Sequence, residues 1–518
     1  MSAIERLSGI KLPVGTEGEL EKLMAVAARR LHAPIRYFEI TKKSLDARDK
    51  KNLHWVYSIA FSAQTQKPND PLEMRGNMPE AAKGKQIVIV GAGPAGLFCA
   101  VRLLQWGIHP IVVERGAPIE ERVRDVTEFL STGKLNVDSN IQFGEGGAGT
   151  FSDGKLNTQT NNAENADVLR IFVAFGAPQE VLYLQKPHIG SDNLRNVVRN
   201  MRAYIENRGG KVLFHTALTD LECCNGRLVG AVLSDGRKIQ TDDMVLAVGH
   251  SARDTFSMLE RRGVCLQQKE FAVGFRVEHL QTKVGTAQYG DAYRLLPPAD
   301  YKLVSHVGTR AVFTFCMCPG GYVMPAASEE EQVVTNGMSD YRRDGVNANS
   351  ALVIQIKKED FPGPEVLAGV AFQRNLERGA YILGGGGYRA PVQRMEDFLA
   401  KRPSSGAGEV IPSYGRGVHY TDLNILLSEE MAAELAASVM DMDRRMKGFA
   451  HPDAIMTGVE SRTSSPVRIV RRDDGQSIGM EGLYPCGEGA GYAGGITSAA
   501  ADGLRTASRI LRKYGAEI

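Results

Sequence analysis

The stretch QIVIVGAGPAGLFCAVRLLQWGIHPIVVERG, Gln86 to Gly116, decides the fold class. An apolar run, Ile87 to Val90, leads straight into a turn built on Gly91, Gly93 and Gly96, and a helix-forming segment follows. In this pattern the first glycine makes the tight turn and the second lets the backbone approach a pyrophosphate. The third lets helix and strand pack closely. Pro94 and Ala95 open the helix, where free N–H groups and the helix dipole favour an anion. Ala100 keeps the sheet-facing side of that helix small. A second apolar run then ends at Glu114 and Arg115, the spacing at which a carboxylate accepts from ribose hydroxyls. Gly-x-Gly-x-x-Gly alone fits many turns. Here strand, helix, second strand and acid follow in register, and together they predict a dinucleotide site. The charge of Glu114 repels a 2′-phosphate, which argues against NADP at this position.

A second glycine-dense segment lies almost four hundred residues on, in LYPCGEGAGYAGGITSAAADGL, Leu483 to Leu504. A short strand runs into Gly487-Glu488-Gly489, and Gly494-Gly495 precede a helix of small residues that begins at Ile496. A nicotinamide dinucleotide has no evident use for such a distant loop. FAD does, because its ribityl chain and ring extend beyond the first site. Glu488 would accept from a ribityl hydroxyl. The N-terminus of the following helix would face the N1–C2=O edge and favour the negative charge of reduced flavin. The alternative is an ordinary glycine turn before a surface helix.

Between and before these pieces the chain divides by composition. Residues 1–82 read as a small α/β unit: EGELEKLMAVAARRL has helical periodicity, and RYFEITKKSL and HWVYSIAF have strand content. A segment rich in Pro, Gly and charge, residues 64–85, reads as a linker. Residues 83–264 and 457–518 would form the FAD-binding domain, with strands in KVLFHTAL, RLVGAVLSDGRKIQ and DDMVLAVG. Residues 265–456, with glycine breaks at 384–387 and 404–408, would be an inserted substrate domain. The predicted fold class is therefore α/β: a Rossmann-like FAD-binding domain of the three-layer ββα type, an inserted α+β domain and a small N-terminal α/β domain.

Bulk properties narrow the setting. The 518 residues suggest several domains, and 43% hydrophobic with 24% charged residues is ordinary for a soluble protein. A formal net charge of +2 gives no reason to expect nucleic acid. The charged start lacks the apolar stretch of a signal peptide, and no run is long enough to span a bilayer. Seven cysteines, an odd number, read as reduced thiols in a cytoplasmic enzyme. The expected partner is a small-molecule substrate, and the oligomeric state is left open.

The pairing of GAGPAG…VVERG with CGEGAGYAGGI resembles the glutathione reductase-type flavoprotein fold, which includes p-hydroxybenzoate hydroxylase and geranylgeranyl reductase. Six further strings are similar to a family of bacterial FAD-dependent dehydrogenases without assigned substrates: FGEGGAGTFSDGKLN, KPHIGSDNL, VGHSARDTF, GFRVEH, FCMCPGGYV and GVESRTSSPVRI. The resemblance spans nearly the whole chain and implies the fold and FAD. The chain departs from the hydroxylases, which have Gly-Asp where it has Gly487-Glu488 and a proline shortly after. VGHSARD matches their Asp-Gly motif only loosely, which leaves Arg253 without a clear role.

Flavin would supply the redox chemistry, and the protein would supply position and charge. Gly146, Gly147 and Gly149 permit close backbone approach and, by the resemblance, line the flavin ring; Ser152, Asp153 and Lys155 are the polar groups of the same loop. Lys155 would hold an acidic substrate or stabilise the reduced ring, or else be a solvated loop lysine. Alternation in AVGFRVEH puts Arg276 on the face opposite Phe275 and Val277. There it either binds a substrate carboxylate or, as favoured here, pairs with a structural acid. His188 is better read as satisfied by its turn than as a general acid. Alternation in VFTFCMC puts the Cys316 and Cys318 sulfurs on one face, with Cα atoms about 6.5–7 Å apart, near the limit for a disulfide. They read as core residues, with a redox pair as the alternative. The string occupies the place of geranylgeranyl reductase's substrate-facing motif, and the paired cysteines of the disulfide reductases are absent because Cys99 stands alone. No metal is expected.

These readings predict an FAD-dependent oxidoreductase, a dehydrogenase or C=C reductase, with NAD(P)H as a transient reductant if it binds at all. The alternatives are a flavin-dependent monooxygenase and a flavin-carrying scaffold protein.

Overall fold

A computed structural model describes residues 4–66, 70–157 and 162–518, so residues 67–69 of the expected linker lie outside the described residues. The centre of the fold is a five-stranded parallel sheet. Its order is Leu483–Pro485, Asp243–Leu246, Ile87–Val90, Ile111–Val113 and Lys211–Leu213. The continuous apolar character of Ile87–Val90 follows from burial on both faces. Ile87 and Ile89 join a core with the helices Pro94–Leu104, Ser191–Asn207 and Ile496–Lys513. Val88 and Val90 join a second core, with Leu221, Leu228 and Ala231 of an antiparallel meander.

That meander, Leu218–Cys224, Arg227–Leu233 and Lys238–Gln240, forms the third layer. Its flanking strands, Lys211–Leu213 and Asp243–Leu246, leave it for the parallel sheet, so one stretch of strand-rich sequence feeds two layers.

The glycines of the first turn sit where the backbone is crowded. Gly91 has φ +104°, and a Cβ there would lie 2.3 Å from the carbonyl oxygen of Ala247 on the neighbouring strand's exit. A Cβ at Gly96 would lie 1.9 Å from the Gly91 carbonyl, so any side chain would push the helix off its strand.

The middle of the chain builds a seven-stranded, mainly antiparallel sheet, ordered Val304–Ser305, Val312–Cys318, Asn347–Ile356, Phe271–Leu280, Ile455–Glu460, Ala390–Arg394 and Val418–Tyr420. Phe275 and Val277 face a core that includes residues of the helices Ala368–Leu383 and Glu429–Arg445. Arg276 points to the other face, towards the parallel-sheet domain.

The N-terminal unit is a three-stranded antiparallel sheet, Glu5–Pro13, His54–Ser62 and Tyr37–Asp46 in spatial order, with the helix Glu19–Leu31 against one face. The helix and two of the strands form where periodicity places them. The first strand has a weak signature because Gly9 breaks its alternation with a register shift between Ser8 and Ile10. An edge contact ties the unit down: Lys43 N donates to Tyr183 O at 2.7 Å, and Gln185 N donates to Lys43 O at 3.0 Å. Among the described residues no helix is long and apolar enough to cross a membrane.

Candidate functional site

One long cleft crosses the carboxyl ends of the parallel strands and continues to the near face of the seven-stranded sheet. Crevices at this position are where open α/β sheets bind ligands. Gly91, Gly93, Pro94 and Ala95 line it, and so do Glu114, Arg115, Gly147, Gly149, Glu488, Gly494, Gly495 and Ile496. Gly96, Gly146 and Gly487 stand behind that surface and allow close packing. A Cβ on Gly146 would strike the Thr150 hydroxyl, and one on Gly487 would strike the Ala95 side chain. Gly93, in contrast, faces open space, with nothing nearer to an added Cβ than Gly147 Cα at 3.8 Å.

At one end of the cleft, buried Glu114 accepts from three backbone N–H groups: Ala92 at 2.8 Å, Gly116 at 2.9 Å and Gly144 at 3.0 Å. The carboxylate thus fastens the first glycine turn to the loop at 140–147 while still lining the cleft. Arg115 lies 4.4 Å from the centre of the Phe143 ring and pairs with Asp254 at 2.9 Å. That loop is held from inside by Arg122, which motif reading missed. Fully buried, Arg122 donates to the carbonyls of Asn140, Ile141, Gly144, Glu145 and Gly147. Burial lowers its pKa to about 10, and Glu114 and Glu145 counter that loss. No motif announces such a residue, because its acceptors are all main-chain carbonyls.

At the second glycine-dense segment the helix Ile496–Lys513 opens its N-terminus into the cleft behind Gly495. The buried acid Asp502, also missed, accepts from Gly487 N at 2.8 Å and from both Arg471 Nη atoms at 2.8 Å. This fixes the loop that carries Glu488. Burial pushes the Glu488 carboxyl up to about 7, against the opposing pull of Lys269.

The far end of the cleft is walled by Cys316, Met317 and Cys318, with Ser152, Asp153 and Lys155 opposite. Strict alternation fails here. Cys316 takes a left-handed backbone, φ +43°, and the pairing register shifts between Phe315 and Cys318. Cys316 therefore opens into the cleft while Cys318 is buried, instead of the two sharing a face. Cys318 Sγ donates to the Cys316 carbonyl at 3.3 Å, and the protein walls of the cleft, which desolvate the Cys316 thiolate, push its thiol up to about 12 against the pull of Arg276. Arg276 does not line the cleft. Fully buried, it donates to Cys316 O at 2.7 Å and to Asn349 Oδ1 at 3.0 Å, and stands 3.6 Å from Glu460. Glu460 is a cleft-lining acid that motif reading missed.

Lys155 donates to Met317 O across the cleft. Asp153 is held by Arg343 through two contacts, 2.8 and 2.5 Å, and His188 contacts Tyr341 O at 3.0 Å. Arg253 is buried behind the cleft, where it pairs with Glu377 at 2.8 Å and Glu329 at 2.6 Å. Among the described residues Glu409, His451 and Asp453 converge in the way metal ligands do. The Lys283 ammonium already sits between two of them, on the Glu409 carboxylate and 2.8 Å from His451 Nε2.

Residues 270–463 match the family described as FAD-dependent protein, C-terminal domain-like. An uncharacterized protein of Clostridium beijerinckii is 42% identical over 528 residues, covering 98% of this chain and 99% of that protein. Among solved structures, the chain is similar to CtdE in complex with FAD: 12% identity, 83% of this chain and 84% of that one, TM-score 0.34. It is likewise similar to a geranylgeranyl bacteriochlorophyll reductase-like protein from Thermoplasma acidophilum. Identity there is 12%, coverage 83% and 82%, and TM-score 0.35. Similarities this distant say nothing of activity.

Proposed function

We propose a function from the chemistry of the cleft, for a chain that belongs to one family with the uncharacterized Clostridium beijerinckii protein and whose residues 270–463 match the family described as FAD-dependent protein, C-terminal domain-like. It is an FAD-dependent oxidoreductase that transfers a hydride between flavin and an organic substrate, as a dehydrogenase or a C=C reductase.

The observation that carries this reading is the continuity of the cleft. It begins at Glu114, passes two helix N-termini at Pro94 and Ile496, and ends at the wall formed by Lys155 and Cys316. The open side of Gly93 suits a pyrophosphate against the first helix, whose leading N–H groups have no acceptor within the helix. The open sides of Gly494 and Gly495 suit a flat ring near the second. Bound FAD supplies the hydride chemistry. Glu114 would orient a ribose and Glu488 a ribityl hydroxyl. Residues 83–264 and 457–518 would hold the cofactor, and residues 265–456 would shape the substrate end.

The purified protein is expected to be yellow and to release FAD, not FMN, on denaturation. An anaerobic ligand screen watched for flavin bleaching identifies the reducing substrate, with NAD(P)H included as a candidate donor. A colourless protein that cannot be reconstituted with FAD refutes the reading. Incorporation of an atom of molecular oxygen into product would make it a monooxygenase instead.

A further inference from the structure

We infer that the substrate end of the cleft binds a carboxylate, and that Lys155 is the residue that holds it. The inference rests on the proposed function and names its substrate class.

The argument comes from how charge is paired around the Cys316–Cys318 wall. Each acid at this end of the cleft already has a cation of its own. Asp153 is taken by Arg343 in a two-point contact of 2.8 and 2.5 Å, both partners buried. Asp300 is paired with Lys186 at 2.7 Å, and the more distant charge of Lys155 also helps hold its carboxyl low. Glu460 faces Arg276 at 3.6 Å, and both are buried. His188 Nε2 donates to the Tyr341 carbonyl, and burial and Arg343 disfavour its protonated form.

Four cations surround three acids here, and among the described residues Lys155 is the cation that makes no direct ion pair, sharing the pull of Asp300 with Lys186. Its one hydrogen-bond partner among the described residues is the Met317 carbonyl, which carries no charge to match the ammonium. A half-buried ammonium whose only nearby carboxylate is shared with a second, directly paired lysine favours an anionic ligand. The surroundings support a fixed site. Lys155 is paired through its backbone with His188, an isolated bridge that holds the residue at the cleft wall. On the facing wall the Cys316 carbonyl is occupied by Arg276, and the Met317 carbonyl by Lys155 itself. Two cations thus converge on consecutive peptide groups, and a carboxylate entering here would replace the weaker, neutral partner of Lys155.

The test uses FAD-loaded protein and isothermal titration with three matched acid and amide pairs: acetate and acetamide, benzoate and benzamide, octanoate and octanamide. At least one acid is expected to bind 10-fold or more tightly than its amide. Lys155→Met should erase that preference and Lys155→Arg should retain most of it. If no acid is preferred in the wild type, or if the preference survives in Lys155→Met, the inference is overturned. Should Lys155→Met fail to fold, Lys155→Gln takes its place under the same criterion, and an acid preference that survives in it overturns the inference. Failure to take up FAD would refute the proposed function, whereas FAD uptake without acid preference would refute only this inference.

Discussion

Gly503 of the closing helix lies directly against Ala95 of the fingerprint helix, so close that a Cβ on Gly503 would stand 2.1 Å from the Ala95 carbonyl oxygen. The two segments are some four hundred residues apart in sequence, and this contact brings both helix N-termini to one cleft. Even the smallest substitution must part the helices, because the obstructing atom is backbone. Gly503→Ala is expected to cost about 1–3 kcal/mol, as overpacking does, and to weaken FAD retention with it. A thermal melt indistinguishable from wild type would refute close packing at this point.

Gly93 gives the opposite case. Its side faces the cleft and its φ of −81° suits any residue. Gly93→Val should leave the circular dichroism spectrum and melting behaviour near wild type while abolishing FAD binding. Full FAD occupancy in a folded Gly93→Val protein would mean that the pyrophosphate lies elsewhere.

Acid stability should depend on Glu377. This buried carboxylate accepts from Arg253 at 2.8 Å and Arg462 at 2.8 Å, joining elements of the two large domains. Burial resists its ionisation, but Arg253 and Arg462 outweigh burial and hold it far below the usual carboxylate range. Neighbouring Glu329 is likewise held down, to about 2, with Arg374 and Arg253 outweighing burial. A carboxyl with a lowered folded pKa contributes its full stability above its unfolded pKa of about 4.5, and that contribution fades as pH falls towards the folded value. Glu377→Gln should cost about 3–5 kcal/mol at pH 7, the range for breaking a buried ion pair. The gap from wild type should narrow on going to pH 3. Denaturation at both pH values measures it, and a gap that stays constant or widens in acid would contradict the assignment.

Cys316 and Cys318 should not act as a redox pair. Desolvation within the cleft wall raises both thiols, and Cys318 Sγ is directed at the Cys316 carbonyl. A thiol so protonated is a poor nucleophile. Anaerobic dithionite titration should consume two electrons per flavin in the wild type and in the double alanine variant alike. Four electrons in the wild type, falling to two in the variant, would reverse this conclusion.

The glycine turn and the acid at one end of the cleft were legible in the sequence because each of these features is local. A left-handed turn at Gly91, a bare helix face at Gly96 and an acid after the second strand are each met within about thirty residues of chain. The same holds for the apolar run of Ile87–Val90 and for the placement of Arg276 on the face opposite Phe275 and Val277, which follow from periodicity.

The tertiary structure alone decided what pairs with what. Arg122 has no motif because it binds main-chain carbonyls, which every residue offers. Asp502 looks like any helix acid until Arg471 and Gly487 N arrive beside it. Arg253 and Glu377, 124 residues apart, meet only in the folded chain. The bulge at Cys316 overrode strand alternation because the left-handed backbone of one residue turns its side chain from the sheet into the cleft. Local sequence encodes the backbone geometry that a cofactor needs at close range. The partners of buried charges are set by distance in space, which a linear sequence does not record.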